Sequence, residues 1–189
     1  MRKIRIFEHI SLDGVIEHDK NYTYGGWTGP YRTPAGMGML LESYGTGFDM
    51  LLGRNTYDEF LGYWPNAGDF PMSNAINTAT KFVITHRPES LEWGPVKGIS
   101  GNVIEELRNL KSTDGPDLVI CGSISLTSVL LDAGLVDEVV LIVYPVLLGK
   151  GKRILSDSYD ARALEFVSTK TTPTGVLLNT YRHLGALQS

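Results

Sequence analysis

Three short stretches collect the residue types that hold an anion: Gly53-Arg54-Asn55-Thr56, Thr85-His86-Arg87 and Gly122-Ser123-Ile124-Ser125. Each follows an apolar run of strand length, so each sets backbone amides, small hydroxylated side chains or a guanidinium at the end of a strand. The first turn of a helix carries unpaired N–H groups and a partial positive charge, and open α/β sheets bind ligands outside the carboxyl ends of their strands. The chemistry these stretches predict is anion or nucleotide binding. None is a P-loop or a Gly-x-Gly-x-x-Gly fingerprint, and small residues at such turns also serve purely structural ends.

Other groups point elsewhere or nowhere. From Glu17 to Gly38 the chain holds five glycines, two prolines and the aromatics Tyr22, Tyr24, Trp27 and Tyr31, which reads as a functional loop over a pocket. Trp27 and Tyr31 either stack on a planar acceptor as part of a lid or anchor a long surface loop to the core. His18 and His183 lack metal-ligand spacing, and Ser11, Ser123 and Ser125 lack a nucleophile elbow. No metal site and no hydrolase site are expected.

The elements that must position these residues follow from pattern. Strands are predicted over Lys3 to Leu12, Phe48 to Leu52, Lys81 to Thr85, Val96 to Ser100, Asp117 to Cys121 and Asp137 to Tyr144. Helices are predicted over Pro34 to Tyr44, after Gly53 with Asn55 or Thr56 as cap, over Asn102 to Leu110 with a capping-box-like Asn102 and Glu105, and over Ser125 to Ala133 before Gly134. Leu148 to Lys152 is a loop. Leu164 to Lys170 and Val176 to His183 flank the turn signal Thr172-Pro173-Thr174-Gly175 and make a closing hairpin. The expectation is an α/β domain with a mostly parallel sheet, helices on both faces and a C-terminal antiparallel hairpin. A flavodoxin-like doubly wound sheet accounts for the same alternation, and the hairpin decides between the two.

Composition sets the outer bounds. With 189 residues, 42% hydrophobic and 20% charged, the chain has the size of one domain over residues 1–189. A net charge of −4 argues against nucleic acid as partner. The single cysteine, Cys121, excludes an internal disulfide, and Met1 to Ile10 lacks a signal-peptide core. No apolar run has the length of a membrane span, so a cytoplasmic protein is expected.

Taken in order, Ser11-Leu12-Asp13-Gly14-Val15-Ile16, Leu52-Gly53-Arg54-Asn55-Thr56-Tyr57, Phe82-Val83-Ile84-Thr85 and Val119-Ile120-Cys121-Gly122-Ser123 resemble the dihydrofolate reductase superfamily. Ala133-Gly134-Leu135-Val136-Asp137-Glu138, with Pro145-Val146-Leu147-Leu148-Gly149-Lys150-Gly151-Lys152-Arg153, resembles the riboflavin-biosynthesis reductase domain and its stand-alone relatives more closely. The resemblance implies a dihydrofolate-reductase-like fold and an NADPH-dependent reductase passing hydride to a small polar acceptor of pyrimidine or pterin type. The alternative is a nucleotide-binding domain that kept the fold without the reaction.

It further implies that Gly53, Arg54, Asn55 and Thr56 meet the pyrophosphate and 2′-phosphate, that Thr85, His86 and Arg87 border the adenosine, and that Gly122, Ser123, Ile124 and Ser125 wrap the pyrophosphate. Solvated surface arginines are the plainer account of Arg54 and Arg87. Ile16, with the backbone around His9, falls at the nicotinamide, or is a core residue. Asp13 falls near the substrate, where a carboxylate orients it or relays a proton; the competing account is a turn former capping its own loop. Ser123 and Ile124 stand where family members usually have glycine. The register of the folate-binding carboxylate falls at Met37, and Glu42 is not on the same helix face, so dihydrofolate is a poor fit. The one cysteine excludes a zinc deaminase of the Cys-x-x-Cys kind. A homodimer is expected from the family's habit and from the apolar density of Val139 to Leu148.

Overall fold

In the computed structural model, which describes residues 1–18, 21–154 and 160–188, branched apolar runs form the strands β1 (Ile4–Ser11), β2 (Phe48–Gly53), β3 (Lys81–Ile84), β4 (Val96–Ile99), β5 (Asp117–Cys121), β6 (Glu138–Tyr144), β7 (Arg162–Thr171) and β8 (Leu177–Ala186). The helices are α1 (Pro34–Tyr44), α2 (Arg54–Tyr63), α3 (Pro71–Thr78), α4 (Val103–Ser112) and α5 (Ile124–Asp132). The strands make one sheet in the order β4-β3-β2-β5-β1-β6-β8-β7. The first six run parallel, and β8 and β7 close the sheet antiparallel. A hairpin joined to the parallel strands excludes the flavodoxin-like alternative.

Both faces of the sheet are covered, as the near-continuous apolar character of β2, β5 and β6 requires. On one face Phe7, Met50, Leu52, Val119 and Val140 pack with Leu40 and Tyr44 of α1 and Met72 and Ile76 of α3. On the other Ile4, Ile6, Leu51, Leu118 and Ile120 pack with Leu107 of α4 and Leu126, Leu130 and Leu131 of α5. Since all six parallel strands share a direction, the segments leaving β1, β2, β3 and β5 gather at a single carboxyl edge, which is where the anion-binding stretches lie.

Three expectations change. Helix α2 is capped by neither Asn55 nor Thr56: it starts at Arg54 with Gly53 as N-cap and no side-chain cap bond, because the strand ends only at Gly53 and leaves no spare residue. Helix α3 lies in a stretch with no predicted element. Of the apolar stretch Val139 to Leu148, the part up to Tyr144 is covered, since β6 runs inside the sheet between β1 and β8, while Leu147 is 73% exposed; further uncovered apolar residues lie on the hairpin, at Leu164, Phe166, Val167 and Leu184.

At the opposite, amino edge, a buried ion pair joins the strand starts. The guanidinium of Arg2 pairs with Asp49 of β2 and donates from Nε to Pro116 O, and Asp49 also accepts the Thr80 amide at 3.2 Å. The Arg2 guanidinium lies 5.3 Å from the centre of the Phe82 ring. With Arg2 only 4% exposed, Asp49→Ala strands a buried cation. The expected loss is about 3–5 kcal/mol, read from urea unfolding; a loss under about 1 kcal/mol would mean that water already screens the pair.

Candidate cofactor and substrate site

The two junctions that follow β2 and β5 are tied by one hydroxyl. Ser123 Oγ accepts the Gly53 amide at 2.9 Å and donates to Thr56 Oγ1 at 3.1 Å, and Ser123 and Thr56 are both buried. A serine where a glycine is usual therefore has a task here: it fixes the spacing of the starts of α2 and α5. Gly122 takes φ +67° and is exposed, a conformation that favours glycine. Ile124 is half-buried as the first residue of α5, while Asn55 and Ser125 are exposed at the edge.

The third junction joins through Arg54. Its Nε donates to Asp58 at 2.8 Å, its Nη1 to Ser90 Oγ at 2.6 Å and to Arg87 O at 3.3 Å. Thr85 is buried and its Oγ1 accepts the Arg87 amide at 3.1 Å; His86 and Arg87 are exposed. The predicted nucleotide residues are thus brought to one edge, with Arg54 held in place by Asp58 and Ser90, neither of which stands out in the sequence.

The β1–β6 side is a separate wall. Asp13 accepts Ser11 O–H at 2.7 Å and the amides of Leu148 and Gly149 at 3.1 and 2.7 Å, and Arg153 donates to its carbonyl. The Ser11 bond first, then the two amides, hold its carboxyl down at about 2. A carboxylate so engaged keeps no proton near neutral pH, so the geometry matches an anchor for the Leu148–Gly149 loop better than a relay. Ile16 is 5% exposed, outside both main core clusters, and its amide bonds to Lys152 O at 2.9 Å. Glu42 turns away from the site to Lys170, 2.9 Å distant.

Trp27 is in the interior. It is 7% exposed, donates from Nε1 to Glu17 O at 2.9 Å, stacks on His18 at 5.0 Å and meets Tyr144 edge-on at 5.1 Å. Tyr31 meets Tyr144 edge-on as well, at 5.7 Å, and remains partly exposed. Above them lies an open cleft of about 610 Å³ walled by Tyr24, Trp27, Tyr31, Val146, Leu147 and Leu148.

Between the two walls β1 presents Glu8 and His9, whose side chains the sequence pattern assigns no chemical role. Glu8 is 4% exposed and its Oε2 has no hydrogen-bond partner. Burial lifts its carboxyl from the ordinary 4.5 to about 8, against the backbone amides of Gly122 and His9 that favour the anion. A proton held more tightly in the folded chain supports folding fully below about pH 4.5, and that support fades as the pH climbs to about 8. His9 Nδ1 lies 2.8 Å from Tyr144 Oη. Burial, then the charges of His18 and Arg32, push its imidazole down to about 3, so at neutral pH it is an uncharged hydrogen-bonding group. Among the described residues no group of three His, Cys, Asp or Glu side chains could hold a metal ion.

A parallel sheet with a terminal antiparallel hairpin, and nucleotide-type junctions at its carboxyl edge, define a reductase-type α/β fold. The RibD C-terminal domain family matches residues 2–178, and the chain belongs to it. The uncharacterized protein YyaP of Bacillus subtilis (strain 168) is 29% identical over 140 residues, 72% of this chain and 74% of that protein. Two solved structures share the fold. One is a diaminohydroxyphosphoribosylaminopyrimidine deaminase/5-amino-6-(5-phosphoribosylamino)uracil reductase of Thermotoga maritima (TM-score 0.67, 17% identity), with 96% of this chain covering 56% of that one. The other is a dihydrofolate reductase of Enterococcus faecalis complexed with NADP(H) and RAB-propyl (TM-score 0.62, 17% identity, 96% of each chain).

The packing of Trp27 yields a direct test. Trp27→Ala is expected to destabilise the protein by roughly 3–5 kcal/mol, as truncation of a core aromatic does, measured by denaturant unfolding. An unchanged midpoint with altered turnover would restore the lid account.

Proposed function

We propose that this chain is an NADPH-dependent reductase that passes hydride to a small polar acceptor of pyrimidine or pterin type. The observation that carries the proposal is at the helix starts. Helices α1 and α4 are capped by the side chains of Thr33 and Asn102, whereas α2 and α5, which begin at the tied junctions, have no side-chain cap; α3 has none either, but it follows no strand of the sheet and opens with Pro71, which has no N–H to offer. Apart from the Ile124 amide, which bonds Gly122 O at 3.1 Å, the first-turn amides of these two helices have no side-chain acceptor, and helix starts of this kind hold phosphate. Gly53 to Thr56 and Gly122 to Ser125 would hold the phosphates, Thr85, His86 and Arg87 the adenosine end, and Ile16 the nicotinamide face. NADPH, when bound, supplies the hydride; the protein supplies orientation and a dry wall. The NADP(H) complex of the dihydrofolate reductase with the same fold supports this reading.

A second reading, a nucleotide-binding domain without the reaction, draws on the buried Trp27, His9 and Tyr144 cluster, which fills space below the cleft. Oxidation of NADPH with any member of a panel of pyrimidine, pterin and carbonyl acceptors decides for the reductase. Binding without oxidation across that panel decides for the second reading.

We also infer a cytoplasmic homodimer. The hairpin leaves Leu164, Phe166 and Leu184 43%, 60% and 58% exposed, and pairing through β7 would hide both these residues and the free strand edge. Light scattering at micromolar concentration is expected to give twice the chain mass, and Phe166→Glu to halve it; a monomer in the unaltered chain would refute the dimer.

Titration calorimetry is expected to show one NADPH bound per chain. Arg54→Ala is expected to weaken NADPH by about 1.5–3 kcal/mol, the worth of a charge-assisted contact to the 2′-phosphate, and NADH by much less. Equal losses for both would show that Arg54 only braces Asp58, Arg87 and Ser90.

A further inference from the structure

We propose that Glu8 makes the phosphate site sensitive to pH: its carboxyl carries a proton while an anion sits at the start of α5, so that cofactor binding draws a proton from solvent at alkaline pH. The inference rests on the NADPH reading above.

Placement comes first. Strands β1 and β5 pair up to Phe7 and Cys121, so Glu8 falls beside Gly122, the residue that turns the chain into α5. The Gly122 amide faces the Glu8 carboxyl. Two buried polar atoms flank this helix start without a partner: Glu8 Oε2, and Oγ1 of Thr127, one turn into α5 and 1% exposed. Buried unsatisfied atoms are rare in folded proteins, and this pair borders the turn whose amides have no side-chain cap.

Charge decides what Glu8 can be. Tyr44 of α1 and Cys121 of β5, the two groups that feel its charge, have a hydroxyl and a thiol that are both pushed upward by burial and stay neutral. Its neighbour His9 is neutral too. On β6, Glu138 is engaged by Lys3 and Arg5, and α5 has no ionisable side chain before Asp132. The junction's cation, Arg54, is committed to Asp58. No cation among the described residues is paired with Glu8, so its ionised form would be an uncompensated negative charge in a dry interior. A phosphate at the same turn has the same sign, and it adds to the cost of ionising Glu8. Anion binding and ionisation of Glu8 therefore oppose one another.

The test is NADPH titration calorimetry at pH 7 and pH 9.5 on the wild-type chain and Glu8→Gln. The 2′-phosphate, with a second pKa of about 6, is about nine-tenths ionised by pH 7, so the ligand's charge changes little across the interval. With a Glu8 carboxyl near 8, the wild-type Kd is expected to rise about 30-fold between the two pH values. Glu8→Gln should bind as wild type does at pH 7 and change by less than about twofold. Lys81, pushed down to about 8 by burial, titrates in the same interval at the amino end of β3, but it is present in both proteins and cannot produce a difference between them. A second measurement needs no variant: at pH 9, in two buffers of different ionisation heat, wild-type binding should take up close to one proton. A flat wild-type profile, an equal slope in Glu8→Gln, or no proton uptake overturns the role of Glu8 while leaving NADPH binding intact. Absence of NADPH binding at both pH values overturns the cofactor reading, and the role of Glu8 with it.

Discussion

The hydroxyl of Ser123 is the contact on which the candidate site depends. It accepts from the last residue of β2 and donates to a threonine in the first turn of α2, while its own backbone is the N-cap of α5. Two helix starts that the sheet would otherwise leave two strand ends apart in sequence are thereby held at one spacing, with their amides on the same edge. A parallel sheet supplies the direction, since it sends every connecting segment out at the same side; the hydroxyl supplies the distance.

Two carboxyl groups on the same strand-and-turn segment, five residues apart, have opposite fates. Asp13 meets a hydroxyl and two amides at the surface and is held as an anion at about 2. Glu8 meets the interior, with two backbone amides facing it, and is lifted to about 8. Residue type predicts neither value. What differs is burial: Glu8 loses its water and two amides do not make up the loss, whereas Asp13 stays at the surface and gains a hydroxyl and two amides besides, the amides coming from Leu148 and Gly149, far along the chain.

Much of the architecture is legible in the residues because the signals are local. Runs such as Val119-Ile120-Cys121 and Val139 to Val143 have no polar period, and in a sheet covered on both faces that is what a central strand looks like. Asn102 and Glu105 announce α4 and form the expected cap. Helix α3 is silent, since only Met72 and Ile76 of its eight residues are large and apolar, and Pro71 followed by Ser and Asn reads as a turn. The junction residues are legible as types, yet the bonds joining Gly53 to Ser123 and Arg54 to Ser90 span 70 and 36 positions and have no local signature. Glu8 has one that was open to reading: it shares the period-two positions of Ile4 and Ile6, so it points where they point, into the core. The pairing of His9 with Tyr144 is visible only once β1 and β6 lie side by side, and Trp27, legible as an aromatic in a loop, gives no sign of which way it faces.

The Arg2–Asp49 pair and the nucleotide-type junctions occupy opposite ends of the same strands. Stability at the amino edge comes from a buried ion pair and a guanidinium over Phe82, none of which touches the carboxyl edge. Sequence drift in the Leu148 loop, the Glu17–Gly38 segment or the cleft walls can therefore proceed without loosening that clamp. A scaffold divided in this way leaves the loops and cleft walls of this chain free to change in sequence while its strand order stays anchored at the other end.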